Sequence, residues 1–205
     1  MINTGKLIVL EGISGTGKET QAKLLRDYLI TQGIVPHILF HPSLDCKNLL
    51  AAWRKSRSID HITEVYFLLA DRSDRVRQII TPTLAKGEWV ISLRNSLSAL
   101  VYQAKTPEER AWVTDEFARF EPPPDYLFFF DLSPEDAMAR ITKRHEKTGE
   151  PLGKFETLEH LAQKRASYQE VLQTLPHIRL DASLPIDTIH QSIKQHINIS
   201  LPINI

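Results

Sequence analysis

Short runs of apolar, β-branched and aromatic residues alternate along the chain with longer stretches whose apolar positions recur every three or four residues. The short runs are Lys6–Glu11, Val35–Phe40, Glu88–Ser92, Tyr126–Leu132 and Ile178–Asp181. Their apolar positions are largely continuous, the pattern of strands covered on both faces. Between the first two, Lys18–Thr31 sets Ala22, Leu25 and Leu29 on one helical stripe. Ile62–Lys86 is a long helical pattern in which Pro82 is placed to break or kink it and Gly87 to end it. Thr106-Pro107-Glu108-Glu109 supplies an N-cap, a first-turn proline and a capping-box glutamate before a helix reaching Phe120. Ser133-Pro134-Glu135 opens another helix in the same way, directly after a strand. Thr157–Leu175 and Ile186–Ile197 complete the set, and the polar stretch from about 145 to 155, with Gly149, Pro151 and Gly153, reads as a mobile connection. Strands alternating with helices imply right-handed βαβ crossovers. The expected fold is therefore α/β: a three-layer, doubly wound, parallel five-stranded sheet in a single domain over residues 1–205.

Composition narrows what such a domain does. Hydrophobic residues make up 42% and charged residues 24%, and 25 Lys plus Arg balance 25 Asp plus Glu. That neutrality argues against a nucleic-acid polymer as partner, whose binding rests on many uncompensated cations. It leaves room for one local anion site. A lone cysteine, Cys46, excludes an intramolecular disulfide and suits a reducing compartment. The apolar runs are too short for a membrane span or a signal-peptide core, so a cytoplasmic location is expected. The eight histidines form no ligand-spaced cluster, which argues against zinc.

Three of the eight glycines fall within Gly12-Ile13-Ser14-Gly15-Thr16-Gly17-Lys18, between the first strand and the first helix. The spacing is that of a phosphate-binding loop. Glycines permit a tight turn whose N–H groups point inward at phosphate oxygens, and the following helix presents its positive end to the same anion. Lys18 adds a point charge for the terminal phosphates. The position that normally offers Ser or Thr to Mg²⁺ is Glu19, followed by Thr20. A carboxylate there is a possible Mg²⁺ ligand, directly or through water, yet it adds negative charge beside a triphosphate; no metal ligand is assigned.

The segment Gly12–Gln21, GISGTGKETQ, resembles the start of the nucleoside monophosphate kinases, with their P-loop NTPase type of fold. Later segments narrow the likeness to the thymidylate kinase family. Leu68-Leu69-Ala70-Asp71-Arg72 is similar to that family's LFAADR helix, and Val90–Asn95 with Ser98, Tyr102 and Gln103 to its VI-x-DRY…S…AYQ. Glu116–Arg119, Pro124-Asp125, the strand ending at Asp131, and Pro134-Glu135 follow in the same order. Lys154-Phe155-Glu156 with Arg165 and Tyr168, and Leu180–Ser183, complete a likeness running from residue 6 to 197. No paired-arginine lid motif of adenylate kinases and no NKxD guanine signature occurs.

The resemblance implies ATP as phosphoryl donor with Mg²⁺, dTMP as acceptor, and a homodimer through the long helices, including Ile62–Lys86. Lys18 and the amides of residues 12–18 would hold the ATP phosphates, with Glu19 and Thr20 adjoining. Arg94 would bridge the acceptor phosphate and the transferring group. Arg72 would hydrogen-bond the thymine edge, and Leu68, Ser98, Tyr102 and Gln103 would line the acceptor pocket. Arg144 would stack on the adenine, and Lys154 stands where the family's lid has an arginine. A closing lid excludes water as a competing acceptor.

Several family positions are replaced. Ser14 stands for a P-loop carboxylate, Leu93 for the Asp of DRY, Asn95 for its aromatic neighbour, and Leu68 for the aromatic that stacks on the base. Phe40, before His41-Pro42, replaces an arginine of the acceptor-phosphate site. His41 is a partial substitute when protonated. A thymidylate kinase reading therefore requires another cation beside Arg94. The alternatives are a related kinase for another nucleotide or nucleoside, and a catalytically weak nucleotide-binding protein.

Overall fold

The computed structural model describes residues 5–149, 153 and 156–197. Five strands, β1 (Leu7–Glu11), β2 (Pro36–Phe40), β3 (Trp89–Leu93), β4 (Tyr126–Asp131) and β5 (Ile178–Asp181), form one parallel sheet in the order β2-β3-β1-β4-β5. The runs that are apolar throughout are the central strands: every residue of β1 and β3 is buried, and β4 is buried beyond Tyr126. The edge strands β2 and β5 are only partly covered. The chain leaves β1 for β2 on one side and later crosses to β4 on the other. A crevice therefore opens beyond the carboxyl end of β1, where doubly wound sheets place their ligands.

Nine α-helices flank the sheet among the described residues: α1 (Lys18–Thr31), α2 (Leu44–Ser56), α3 (His61–Arg75), α4 (Thr81–Ala85), α5 (Ser96–Tyr102), α6 (Pro107–Ala118), α7 (Pro134–Thr148), α8 (Leu158–Val171) and α9 (Ile186–His196). The capping signals act as their chemistry dictates. Thr106 accepts from the Glu109 N–H at 3.2 Å while the Glu109 carboxylate reaches back to the Lys105 N–H, and Ser133 accepts from the Asp136 N–H. Helix α1 packs on α9, whereas α5 is held between α6 and α8, and α3 contacts both α2 and α6.

Three expectations about elements change. The helix anticipated over Ile62–Lys86 is α3, then a π-helical turn over Val76–Ile80, then α4. Pro82 cannot donate to the preceding turn and its ring crowds the carbonyl four residues back; the widened turn upstream accommodates both effects. The stretch anticipated as mobile from about residue 145 is helical at its start. His145–Thr148 continue α7 to Gly149, which takes φ 71° and donates its N–H to the His145 carbonyl at 2.8 Å. The remainder of that stretch, apart from Gly153, lies outside the described residues, and Lys154 with it. Helices α2 and α5 were not anticipated. Helix α2 buries only Cys46 and Leu50 while Leu44 and Leu49 stay exposed, so it lacks a clear apolar stripe.

Candidate active site

The loop from Gly12 to Gly17 closes around its own backbone. Gly12, Gly15 and Gly17 take φ of 144°, 81° and 87°, conformations that side chains rarely adopt. Two of them are also fixed by crowding. A Cβ on Gly15 would lie 2.6 Å from the Ala137 carbonyl oxygen at the start of α7, and one on Gly12 2.6 Å from that of Phe130. Thr16 Oγ1 donates to the Ile13 carbonyl. The Lys18 ammonium lies across the loop and donates to Gly12 O at 2.9 Å, Ile13 O at 2.7 Å and Thr16 Oγ1 at 2.8 Å. Burial, reinforced by the charge of Arg94, pushes the Lys18 pKa well below the usual lysine value. An anion entering the loop offsets that penalty, so the buried ammonium and the anion stabilise each other.

A cavity of about 350 Å³ opens over this loop, lined by residues 14–20, Phe40, His41, Pro42, Lys47, Leu93 and Arg94, and by Arg140 and Arg144 of α7. The two arginines of α7 are one helical turn apart and so share a face. Arg144 also donates to Glu156 Oε1 at 2.7 Å. The sequence reading found Arg144 and missed Arg140, although their spacing of four was the available signal.

Arg94 forms the far wall. Its φ of 74° is unusual for a residue with a side chain and costs roughly 1–3 kcal/mol. The surroundings hold it there. Its N–H donates to the Leu10 carbonyl, and its own carbonyl accepts from Ser92 Oγ at 2.6 Å. The guanidinium donates to Ser98 Oγ at 3.0 Å and to the Tyr168 hydroxyl at 2.9 Å, and lies over the Tyr102 ring. Beneath these groups sits Glu11, the last residue of β1, fully buried. Its carboxylate accepts from the Asn95 N–H, from Ser98 Oγ and from the Tyr168 hydroxyl at 2.7 Å, and comes within 3.9 Å of Arg94. Burial works against the Arg94 charge, but the oxygens of Tyr102, Tyr168 and Glu11 outweigh it and hold the cation in place. Glu11 was missed from sequence. The signal was a carboxylate closing an apolar strand directly before the loop, where burial demands partners.

A second cavity, about 310 Å³, continues from the first. The two share Ser14, His41, Pro42, Lys47 and Arg94. Beyond that common wall the second is lined by Leu50, Arg54, Leu68, Ser98, Ala99, Tyr102 and Gln103. Leu68, Ser98, Tyr102 and Gln103 are thus gathered as expected. Helix α2 adds Lys47, Leu50 and Arg54, spaced i, i+3, i+7 on one face. A cation other than Arg94 lines both cavities: Lys47, whose ammonium lies 5.9 Å from the centre of the Phe40 ring. His41 does not serve as that cation. It is buried, with Nδ1 3.3 Å from Asp71 Oδ2 but no aligned hydrogen bond, and burial together with Arg72 lowers its pKa, leaving it neutral at pH 7.

Arg72 is not brought to the cavity. It is fully buried, with Nε and Nη2 on Glu121 Oε1 and Nη1 on Ser92 Oγ, and it is absent from both cavity walls. An arginine in the α3 interior reaches the nearest carboxylate because leaving its charge unpaired there is costly. Asp131 is likewise engaged, by Arg165 at 2.7 Å and by Arg179. Phe67 packs edge-on against Trp53, away from Leu68.

Residues 10–193 match the family model described as thymidylate kinase. The chain is 32% identical over 197 residues to the probable thymidylate kinase of Methanosarcina mazei, covering 92% of this chain and 93% of that protein. It is 33% identical over 196 residues to the thymidylate kinase of Coprothermobacter proteolyticus, covering 94% and 98%. Against the thymidylate kinase of Buchnera aphidicola the figures are 32% over 203 residues, with 93% of each chain.

Proposed function

The chain belongs to the thymidylate kinase family, and on that premise we propose that it transfers the γ-phosphoryl group of ATP to dTMP, giving dTDP and ADP. The observation that carries this reading is the common wall: Ser14, His41, Pro42, Lys47 and Arg94 belong to both cavities, so two phosphate chains meet there. ATP lies over the loop, its phosphates on the amides of Gly12 to Gly17 and on Lys18, with Arg140 and Arg144 on the side of α7. The acceptor occupies the second cavity, its phosphate toward Lys47 and Arg94 and its base toward Leu68, Ser98, Tyr102 and Gln103.

In the transfer, a phosphate oxygen of dTMP forms a bond to the γ-phosphorus as the bond to the β–γ bridging oxygen breaks, and that electron pair leaves on ADP. The attacking phosphate is already ionised at neutral pH, so no general base is needed. What the reaction requires is positioning and charge neutralisation. Arg94 and Lys47 bring two cations to the acceptor side and Lys18 one to the donor side. Magnesium, when bound with ATP, neutralises further phosphate charge; Glu19 and Thr20 line the loop cavity and offer the hard oxygen donors that suit it. Arg72 holds α3 to Glu121 and Ser92. We read the working enzyme as one P-loop kinase domain in a cytoplasmic homodimer; no helix among the described residues is long and apolar enough to cross a membrane.

The test is ADP release by the purified protein with ATP, Mg²⁺ and a panel of dTMP, dUMP, dCMP, AMP and thymidine. Turnover with dTMP is expected. Preference for a different acceptor would reassign the substrate, and tight ATP binding without turnover on any acceptor would leave a nucleotide-binding protein.

A further inference from the structure

Resting on the kinase reading above, we infer that Glu11 is a positioning residue for Arg94: its carboxylate turns the hydroxyl hydrogens of Ser98 and Tyr168 toward itself, so that both oxygens present lone pairs to the guanidinium. A proton count fixes the directions in this cluster. The carboxylate only accepts and the guanidinium only donates. Ser98 Oγ lies 3.1 and 2.9 Å from Glu11 Oε1 and Oε2, and the Tyr168 hydroxyl lies 2.7 Å from Oε2. Each hydroxyl has one hydrogen, and Glu11 takes both, leaving none for the 3.1 Å approach between the two oxygens. Each oxygen then accepts from Arg94 Nη1, at 3.0 Å in Ser98 and 2.9 Å in Tyr168, which uses both hydrogens of that nitrogen. Tyr168 is fully buried, and burial together with the Glu11 charge pushes its pKa well above the usual phenol value, so its hydrogen stays on oxygen.

The same carboxylate acts on the Arg94 backbone. Glu11 Oε1 accepts the Asn95 N–H at 2.9 Å, and Asn95 directly follows the residue whose φ is 74°. Glu11 therefore grips Arg94 at both ends, through the strained peptide and through the guanidinium. Glutamine in its place keeps the shape and reverses the logic. An amide donates as well as accepts. Its NH₂ group, set against a hydroxyl oxygen, turns that hydroxyl's hydrogen toward Arg94, donor against donor. By charge alone, removing a buried carboxylate from beneath two phosphate chains would favour the transfer. Orientation and charge thus predict opposite signs for one substitution.

Wild type, Glu11→Gln, Tyr168→Phe and the double variant are compared in ADP release with ATP, Mg²⁺ and dTMP, and their ATP affinity is measured by calorimetry. Glu11→Gln is expected to lose roughly 10- to 100-fold in kcat, the scale on which misplacing a reacting group is felt. Its Kd for ATP rises by less than about threefold, a split between rate and binding that a loss of folding would not produce. Tyr168→Phe deletes one hydroxyl and keeps the ring; it loses kcat by a smaller factor and decides the matter if the glutamine variant does not fold. The double variant loses no more than about threefold beyond Glu11→Gln, because both groups act through Arg94. A kcat at or above wild type in the folded variants, a loss confined to ATP affinity, or losses that multiply in the double variant overturns the inference while leaving the kinase reading intact. Absence of wild-type turnover on every acceptor overturns that reading and this inference together.

Discussion

The two halves of the site are built from different materials. The loop proposed to hold ATP is made of backbone: glycine conformations, carbonyls in close approach and one buried ammonium, all within seven consecutive residues. The cavity proposed for the acceptor is lined by side chains drawn from α2, α3 and α5, supported by Glu11 and Tyr168 from distant parts of the chain. A backbone cradle tolerates little change, because its geometry follows from φ angles and close approach. A side-chain wall can exchange one cation for another, the exchange proposed for Lys47 beside Phe40. Substitution on the first side should abolish activity with every acceptor, and on the second it should redistribute activity among acceptors.

The largest effect is expected at Lys18. Lys18→Met removes the donor-side cation, and kcat should fall by roughly 100- to 1000-fold with dTMP, with the same proportional loss on any other acceptor. A loss that depended on the acceptor would erase the distinction between the halves. Gly15→Ala comes next: its Cβ would meet the Ala137 oxygen at 2.6 Å in a conformation with φ of 81°, so ATP affinity measured by calorimetry should drop together with the melting temperature. On the other side, Lys47→Met should raise the KM for dTMP about tenfold while the KM for ATP moves less than threefold. Equal changes in both would place Lys47 on the donor phosphates instead.

The smallest expected effect concerns the support beneath the acceptor wall. Burial raises the pKa of the Asp71 carboxyl, but the His41 ring 3.3 Å away, charged once pH falls below its own lowered pKa, and hydrogen bonding from Ser43 outweigh it and bring the value down to about 2 from 3.8. A carboxyl with a depressed pKa stabilises the fold above its unfolded value and loses that contribution as pH falls toward its folded value. The stabilisation, about 2 kcal/mol at its largest, should therefore fade between about pH 4 and pH 2. Denaturant melts of Asp71→Asn should show no such loss over that range beyond what the remaining carboxyls produce.

The same contrast governs what could be read from the sequence. The loop was legible because its chemistry is contiguous, and the sheet because buried parallel strands are written as unbroken apolar runs. Helix α2 was not, since only Cys46 and Leu50 face the core while Leu44 and Leu49 face outward. Of the three cavity-lining cations missing from the sequence reading, Lys47 and Arg54 lie on that helix and Arg140 on α7. Arg72 shows the converse. Its place in a motif suggested contact with the base, but its surroundings supply Glu121 from 49 residues away, and no local pattern announces a partner so distant. Glu11 was visible as a residue but not as a hub, for the same reason.

If phosphate chains from the two cavities meet at Lys47 and Arg94, adenosine and thymidine joined through five phosphates should occupy both cavities as a single ligand. Calorimetry should then find one such molecule per chain, bound at least 100-fold tighter than ATP and displacing both ATP and dTMP. Binding no tighter than ATP, or displacement of ATP alone, would contradict the account.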